Sequence, residues 1–184
     1  MAIIKNCRIK FGSVTQKDKF NEEKISVKFF IEDKKEEKAL IASIDTLKDG
    51  IDGKVQHFGY KKYKNDNDEN DKDIGKNLFT AWCYAKKWES EDDFLVPMYT
   101  AGGAEYEEKK RPNLSWGSII NISLTPKVWE MKSDHGVKLM LQKVQVITPV
   151  LYDGGDEFTA AEGFEDEVVE EKPKKKKKKK KNKT

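Results

Sequence analysis

Enzymes that make or break bonds lean on a few residue types, and this chain is short of them. It has two histidines and two cysteines in 184 residues, and neither His57 nor His135 stands in a recognisable motif. CxxC, HExxH, GxSxG and the glycine-rich phosphate loop do not occur, which removes the usual starting points for zinc, nucleophilic or nucleotide chemistry. A zinc site assembled from Cys7, Cys83, His57 and His135 would need four ligands scattered along the chain. Two thiols make no disulfide framework. Both fall at inward-looking strand positions, as buried thiols of a reducing compartment do. No stretch approaches the roughly 20 apolar residues of a membrane span, and residues 1–11 carry Lys5, Arg8 and Lys10 where a signal peptide would be apolar. These absences predict a soluble, intracellular, non-enzymatic protein that needs no cofactor and no membrane.

What the chain has in excess is charge. Charged residues make up 38%, against roughly a quarter in ordinary domains. They are unevenly placed. Residues 153–171 hold nine acids and no base, and residues 172–184 hold ten lysines and no acid, leaving 24 acidic and 26 basic residues to 1–152. Such blocks cannot bury enough apolar surface to offset ordering entropy. The expected organisation is one domain over 1–152, an acidic disordered tail over 153–171 and a poly-lysine tail over 172–184.

Within the domain the hydrophobic period is mostly two. Ile3, Cys7, Ile9 and Phe11 share one parity, with Ile4, Asn6, Arg8 and Lys10 on the other. "KISVKFFIE" places Ile25, Val27, Phe29 and Ile31 inward and Ser26, Lys28, Phe30 and Glu32 outward. The period then changes: Leu40, Ile44, Leu47 and Ile51 fall at helical spacing, which predicts an amphipathic helix over about 36–50. A long polar insertion follows, and then the strand "FTAWCYAKKW". One of its faces is Phe79, Ala81, Cys83 and Ala85; the other is Thr80, Trp82, Tyr84, Lys86 and Trp88. "SIINISLTP", a turn region containing "EMKSDHG", and "VKLMLQKVQVI" close the domain. In the last strand the inward parity of Val137, Leu139 and Leu141 switches at Gln142–Lys143 to Val144 and Val146, the mark of a β-bulge. Five curved strands and one inserted helix indicate a mainly β protein, an OB-fold-like barrel.

Two constellations could carry chemistry. Asp66, Asp68, Asn70, Asp71 and Asp73 imitate the start of a calcium loop, yet Asp71 stands where that loop wants glycine and Asn77 where it wants a bidentate glutamate. A solvated loop is the better reading, ahead of weak divalent-cation binding and, behind that, a metal-dependent nuclease. The second constellation is an aromatic–basic face: Arg8, Lys10, Lys28, Phe30, Trp82, Tyr84, Lys86 and Trp88 by strand parity, with Tyr60 and Lys62 from "YKKYK" in the insertion. Proteins that hold single-stranded nucleic acid need cations along the backbone and aromatic planes for the bases, whereas duplex readers need a helix or ribbon for the major groove. Parity groups these side chains without deciding whether their face is wet or packed. Trp116 and Trp129, flanking the third strand region, read as core.

The order of these elements resembles bacteriophage single-stranded-DNA-binding proteins built on an OB-fold. The likeness runs from the helix after "SVKFFIE" and the Asp-rich segment before "LFTAWCYAK" to Gly117, Pro126, Trp129 and "HGVKLMLQKVQVI", over most of residues 1–150. It implies coating of single-stranded DNA in phage replication and recombination, in the cytoplasm of an infected host. Arg8, Lys10, Lys28, Lys62 and Lys86 would then meet phosphates, and Phe30, Tyr60, Trp82, Tyr84 and Trp88 would stack bases. It also implies an acidic tail that contacts replisome proteins such as polymerase and helicase-primase and competes with DNA. The chain is further expected to pair as a homodimer. The sequence departs from that pattern by ending in lysines rather than in acid and an aromatic. Another class of protein fits the tails alone: a chaperone-like interaction protein whose opposite charges engage basic and acidic partners.

Overall fold

The computed structural model describes residues 1–87, 89–131 and 134–151; both charged tails and Trp88 lie outside them. In chain order the elements are β1 (Ala2–Gly12), β2 (Lys24–Ile31), α1 (Lys34–Asp49), β3 (Val55–His57), β4 (Tyr60–Lys62), β5 (Asn77–Tyr84), β6 (Met98–Tyr99), a single 3₁₀ turn (Glu108–Lys110), β7 (Ile119–Met131) and β8 (Asp134–Thr148).

Five of these strands close a barrel. β1 pairs antiparallel with β2 and β7, β2 with β5, and β7 with β8. The ring is completed by β5 and β8, which run parallel and meet through Ala81↔Leu139 and Trp82↔Met140. The first half of β5 gives the same edge to β4 instead, and β3 and β6 add to the free edge of β8. The interior is apolar: Cys7, Ile9, Val27, Phe29, Phe79, Ala81, Ile120, Ile122, Leu124 and Leu139 are almost fully buried, with Phe29 and Phe79 stacked at 5.9 Å. The expected OB-like barrel is the fold observed.

The helix forms where the period changes. The Asp33 carboxylate accepts from the backbone N–H groups of Lys35 and Glu36, and Gly50 closes the other end with its N–H on the Leu47 carbonyl. A cap of this kind contributes about 1 kcal/mol. α1 packs against β7, β8 and β2 and sends Leu40 and Ile44 into the barrel core.

Bulges bend the strands and reset their faces. In β8, Lys143 pairs with Ser123 and Leu141 with Leu124, so Gln142 is the extra residue and the parity switch read from the sequence is a bulge. β1 has two irregularities that the sequence did not disclose. The first lies between Ile4 and Cys7, where Asn6 takes a φ of 51°. It turns Ile4 inward and leaves Ile3 exposed, the reverse of the expected assignment. The second, between Ile9 and Phe11, turns Phe11 outward.

The hairpin of β7 and β8 also differs from expectation. Residues read as a turn are strand to Met131 and again from Asp134, and Pro126 sits inside β7 rather than ending it. The reason is that β1 accompanies β7 only as far as Leu124. Beyond that point β7 has one free edge, where proline's missing N–H costs no ladder bond.

Candidate nucleic-acid interface

The outward residues of β5 are Thr80, Trp82 and Tyr84, alternating with buried Phe79, Ala81 and Cys83. Small Ser26 of β2 lies directly across from Trp82, which leaves the indole room on the barrel surface. Trp82 and Tyr84 meet edge to face at 5.3 Å and 87°, and Tyr84 is 52% exposed.

The extended β7–β8 hairpin supplies a facing wall. Trp129 pairs with Gly136 across the hairpin and sets its ring against His57 of β3, tilted by 32° at 5.6 Å. Gly136 permits this approach: a Cβ there would lie 2.7 Å from the His57 carbonyl oxygen and 2.8 Å from Trp129 Nε1. Gly59, at φ +73°, serves the same end beside Leu139, where a Cβ would stand 2.9 Å from Leu139 Cγ. The result is a groove of about 830 Å³, walled by Trp82, Tyr84 and Tyr60 on one side and Trp129 and Met131 on the other.

Its charge is positive. Lys24, Lys61 and Lys138 line it against one acid, Glu130. The Lys24 ammonium lies 4.2 Å from the Trp82 ring centroid and that of Lys138 5.2 Å. Among the described residues none of these three lysines is in an ion pair. Uncompensated ammoniums beside half-exposed aromatic planes suit a flexible polyanion with π-faces.

The residues singled out from the sequence divide into three groups. Tyr60, Trp82 and Tyr84 come together in the groove. Lys28, Lys62 and Lys86 are on the surface but outside it. Lys28 lies further along β2, Lys62 bears on Glu37 of α1, and Lys86 pairs with Glu91, which raises its pKa. Arg8, Lys10 and Phe30 have other employment. Phe30 is 1% exposed, in a second apolar cluster with Tyr63 and Leu78 that lies outside the barrel with Phe11 packed against it. Its ring has no face left for a base.

The Asp-rich insertion is what covers Phe30. Arg8 grips Asp73 through two nitrogens at 2.7 and 3.1 Å, Lys76 donates to the same carboxylate at 2.8 Å, and Lys10 bonds Asp71 at 3.1 Å. Arg8 above all, with Lys76, holds the buried Asp73 carboxyl well below the usual range. The backbone N–H of Asp73, then Asn65, Lys10 and Tyr63, do the same for Asp71. These two acids are partners of basic side chains. Burial pushes the Cys83 thiol up to about 12 and raises Cys7 as well, so both are inert core residues.

Sequence reasoning missed Lys24, Lys138, His57 and Phe58 as groove residues, had Lys61 only as part of the basic–aromatic run "YKKYK", and assigned Trp129 and Trp116 to the core. Trp129 is half-buried in the groove wall and Trp116 is 66% exposed. The signal for Trp129 was present: alternation continued through Pro126 places it on the face of Lys127, opposite Val128.

No protein-family model matches the chain, and no curated protein matches it. Solved structures do. The single-stranded-DNA-binding protein gp2.5 of bacteriophage T7 aligns at a TM-score of 0.59 and 15% identity, over 85% of this chain and 88% of that one. The single-stranded-DNA-binding protein of bacteriophage Enc34, solved in complex with single-stranded DNA, aligns at 0.59 and 13% identity, over 80% of this chain and 86% of its own. A further Enc34 structure gives 0.55 and 16%, over 84% of both. The chain shares their fold. At these identities the likeness speaks of the barrel and its connections, not of individual side chains. Among the described residues no helix is long and apolar enough to cross a membrane.

Proposed function

We propose that this chain is a phage-type single-stranded-DNA-binding protein that coats strands without sequence preference and without catalysis. One observation carries the reading: the groove in which Trp82, Tyr84 and Trp129 stand beside Lys24, Lys61 and Lys138, none of them ion-paired among the described residues. The same fold in proteins that bind single-stranded DNA supports it.

The groove suggests how binding proceeds. Two ammoniums rest on the Trp82 ring, an interaction worth about 0.5–1 kcal/mol at an exposed site. A strand offers phosphates to those lysines and a base to the indole, and stacking contributes about 1–3 kcal/mol per base. The exchange favours the strand while keeping each lysine beside a negative charge. Every base has a π-face, so the site does not read sequence.

On this reading the protein acts in phage replication and recombination, in the infected cell. Its acidic segment 153–171 engages replisome proteins and competes with DNA, and the lysines of 172–184 either neutralise that segment or add a phosphate contact. Titration of tryptophan fluorescence with oligo-dT, against duplex of equal length and at two salt concentrations, tests the central claim. Quenching with single-strand preference, retained in residues 1–152 alone, is the expected result. Equal and salt-abolished binding to both forms, or binding only through the tails, refutes it.

A further inference from the structure

The aromatic surface does not end at the groove. Tyr84, a groove residue, also lines a depression of mixed charge, where Lys17, Lys86 and Lys87 stand with Glu22, Glu23 and Glu89. Lys17 in turn lines a second groove, of about 420 Å³, between the β1–β2 connection and residues 113–116. Phe11, Phe20 and Trp116 stand there with Lys17, Lys19 and Lys28.

These aromatics are presented rather than packed away. Phe20 is 99% exposed and Trp116 66%, although apolar rings of this size are ordinarily withdrawn from water. Trp116 is held by its ring and Phe20 by its backbone. Trp116 sits edge-on to Phe11 at 6.2 Å, and Phe11 is braced by Tyr63 at 6.1 Å. Phe20 rides on an ordered turn: its N–H donates to the Asp18 carboxylate at 2.9 Å, and the Asn21 N–H donates to the Asp18 carbonyl. The same carboxylate accepts from the Ser26 hydroxyl, which ties the turn to β2. Among the described residues that line this groove Asp18 is the only acid, against three lysines, and its charge is already engaged.

We infer that this second groove is a further nucleobase subsite, taking bases of the same strand that occupies the first. The inference rests on the reading of the first groove. Continuity through Tyr84 and Lys17 favours a strand over any other occupant. So does the presence of exposed rings and three lysines in one lining, although among the described residues no lysine there lies on a ring as Lys24 and Lys138 do on Trp82. An apolar protein segment would bring nothing to satisfy three lysines, and a duplex shows no free base face to the rings. The exposed pair of Lys17 with Asp93 at 2.9 Å yields readily to a phosphate, since such pairs contribute little in water.

The test uses the full chain and two oligo-dT lengths, about 4 and about 16 nucleotides, the ends of the range one such barrel covers. Trp116→Ala and Phe20→Ala alter exposed side chains, and circular dichroism verifies their fold. The expected result is unchanged affinity for the short oligomer, about a tenfold loss for the long one per stack removed, and a smaller occluded site. Unchanged affinity for both lengths overturns the inference, and so does an equal loss for both. Trp82→Ala is the companion variant: if neither length responds to it, the first groove is not the DNA site. That is a separate outcome from a silent Trp116.

Discussion

Replacing Lys24 and Lys138 together by glutamine tests whether the groove binds phosphate or merely shelters aromatics. Their ammoniums lie 4.2 and 5.2 Å from the Trp82 ring centroid and belong to no ion pair among the described residues. Each phosphate neutralised on a single strand adds about 0.7 to the slope of log affinity against log salt. Losing two contacts flattens that slope by about 1.4. Between about 50 and 200 mM salt the wild-type chain should therefore lose about sevenfold more affinity than the variant. Stacking is a different contribution, so Trp82→Phe should weaken binding at every salt concentration and leave the slope alone. The assay is fluorescence anisotropy of labelled oligo-dT over a salt series. If the double variant keeps the wild-type slope, these lysines do not meet phosphates and the electrostatic reading of the groove fails.

Gly136→Ala should displace Trp129 and His57, because its Cβ would overlap atoms at 2.7 and 2.8 Å. About 1–3 kcal/mol of overpacking should appear in thermal unfolding, together with weaker oligo-dT binding. Phe30→Ala should cost about 3–5 kcal/mol of stability and leave single-strand affinity within about twofold, since stacking losses are larger; a selective loss of binding would return Phe30 to the interface. The Arg8–Asp73 pair sets an acid limit. The folded-state pKa of Asp73 is depressed, so its contribution is complete above the unfolded value near 4 and declines as pH falls toward the folded value. In Asp73→Asn, urea stability should be lower at neutral pH and fall less between about pH 5 and pH 2; equal acid sensitivity in the two proteins would dismiss the pair as a source of stability.

Most of the barrel could be read from alternation, because a strand buried on one face writes its period directly into the sequence. The helix was equally plain, since Leu40, Ile44 and Leu47 recur at its own period. What alternation cannot express is an extra residue whose neighbours are polar. Gln142 betrayed its bulge because valines resume on the opposite parity, whereas Asn6 follows Lys5 near the start of its strand, and after Lys10 only Phe11 and Gly12 remain of β1, too short a run to show a shift. The same limit hid the role of the basic residues on β1. Parity correctly put Arg8 on the outer face with Phe30. It said nothing of a segment 65 residues away that returns to cover them with Asp73. Lys24 and Lys138 were overlooked for a related reason: they belong to β2 and β8, far apart in the sequence, and only barrel closure brings both to Trp82.

The junction between β5 and β8 is the shortest in the ring, two residue pairs long, and one of its four residues is Trp82. A closed wall parts most cheaply where the fewest backbone bonds must break. The side chain of Trp82 thus faces the solvent groove while its main chain forms the clasp. A strand lying across Trp82 and Lys138 would bridge the two edges of that clasp from outside. It would hold the barrel shut as a rivet holds a hoop. Amide hydrogen exchange along Ala81–Trp82 and Leu139–Met140 should slow on adding oligo-dT by more than the other pairings do, and the protein should be hardest to unzip when it is coating DNA.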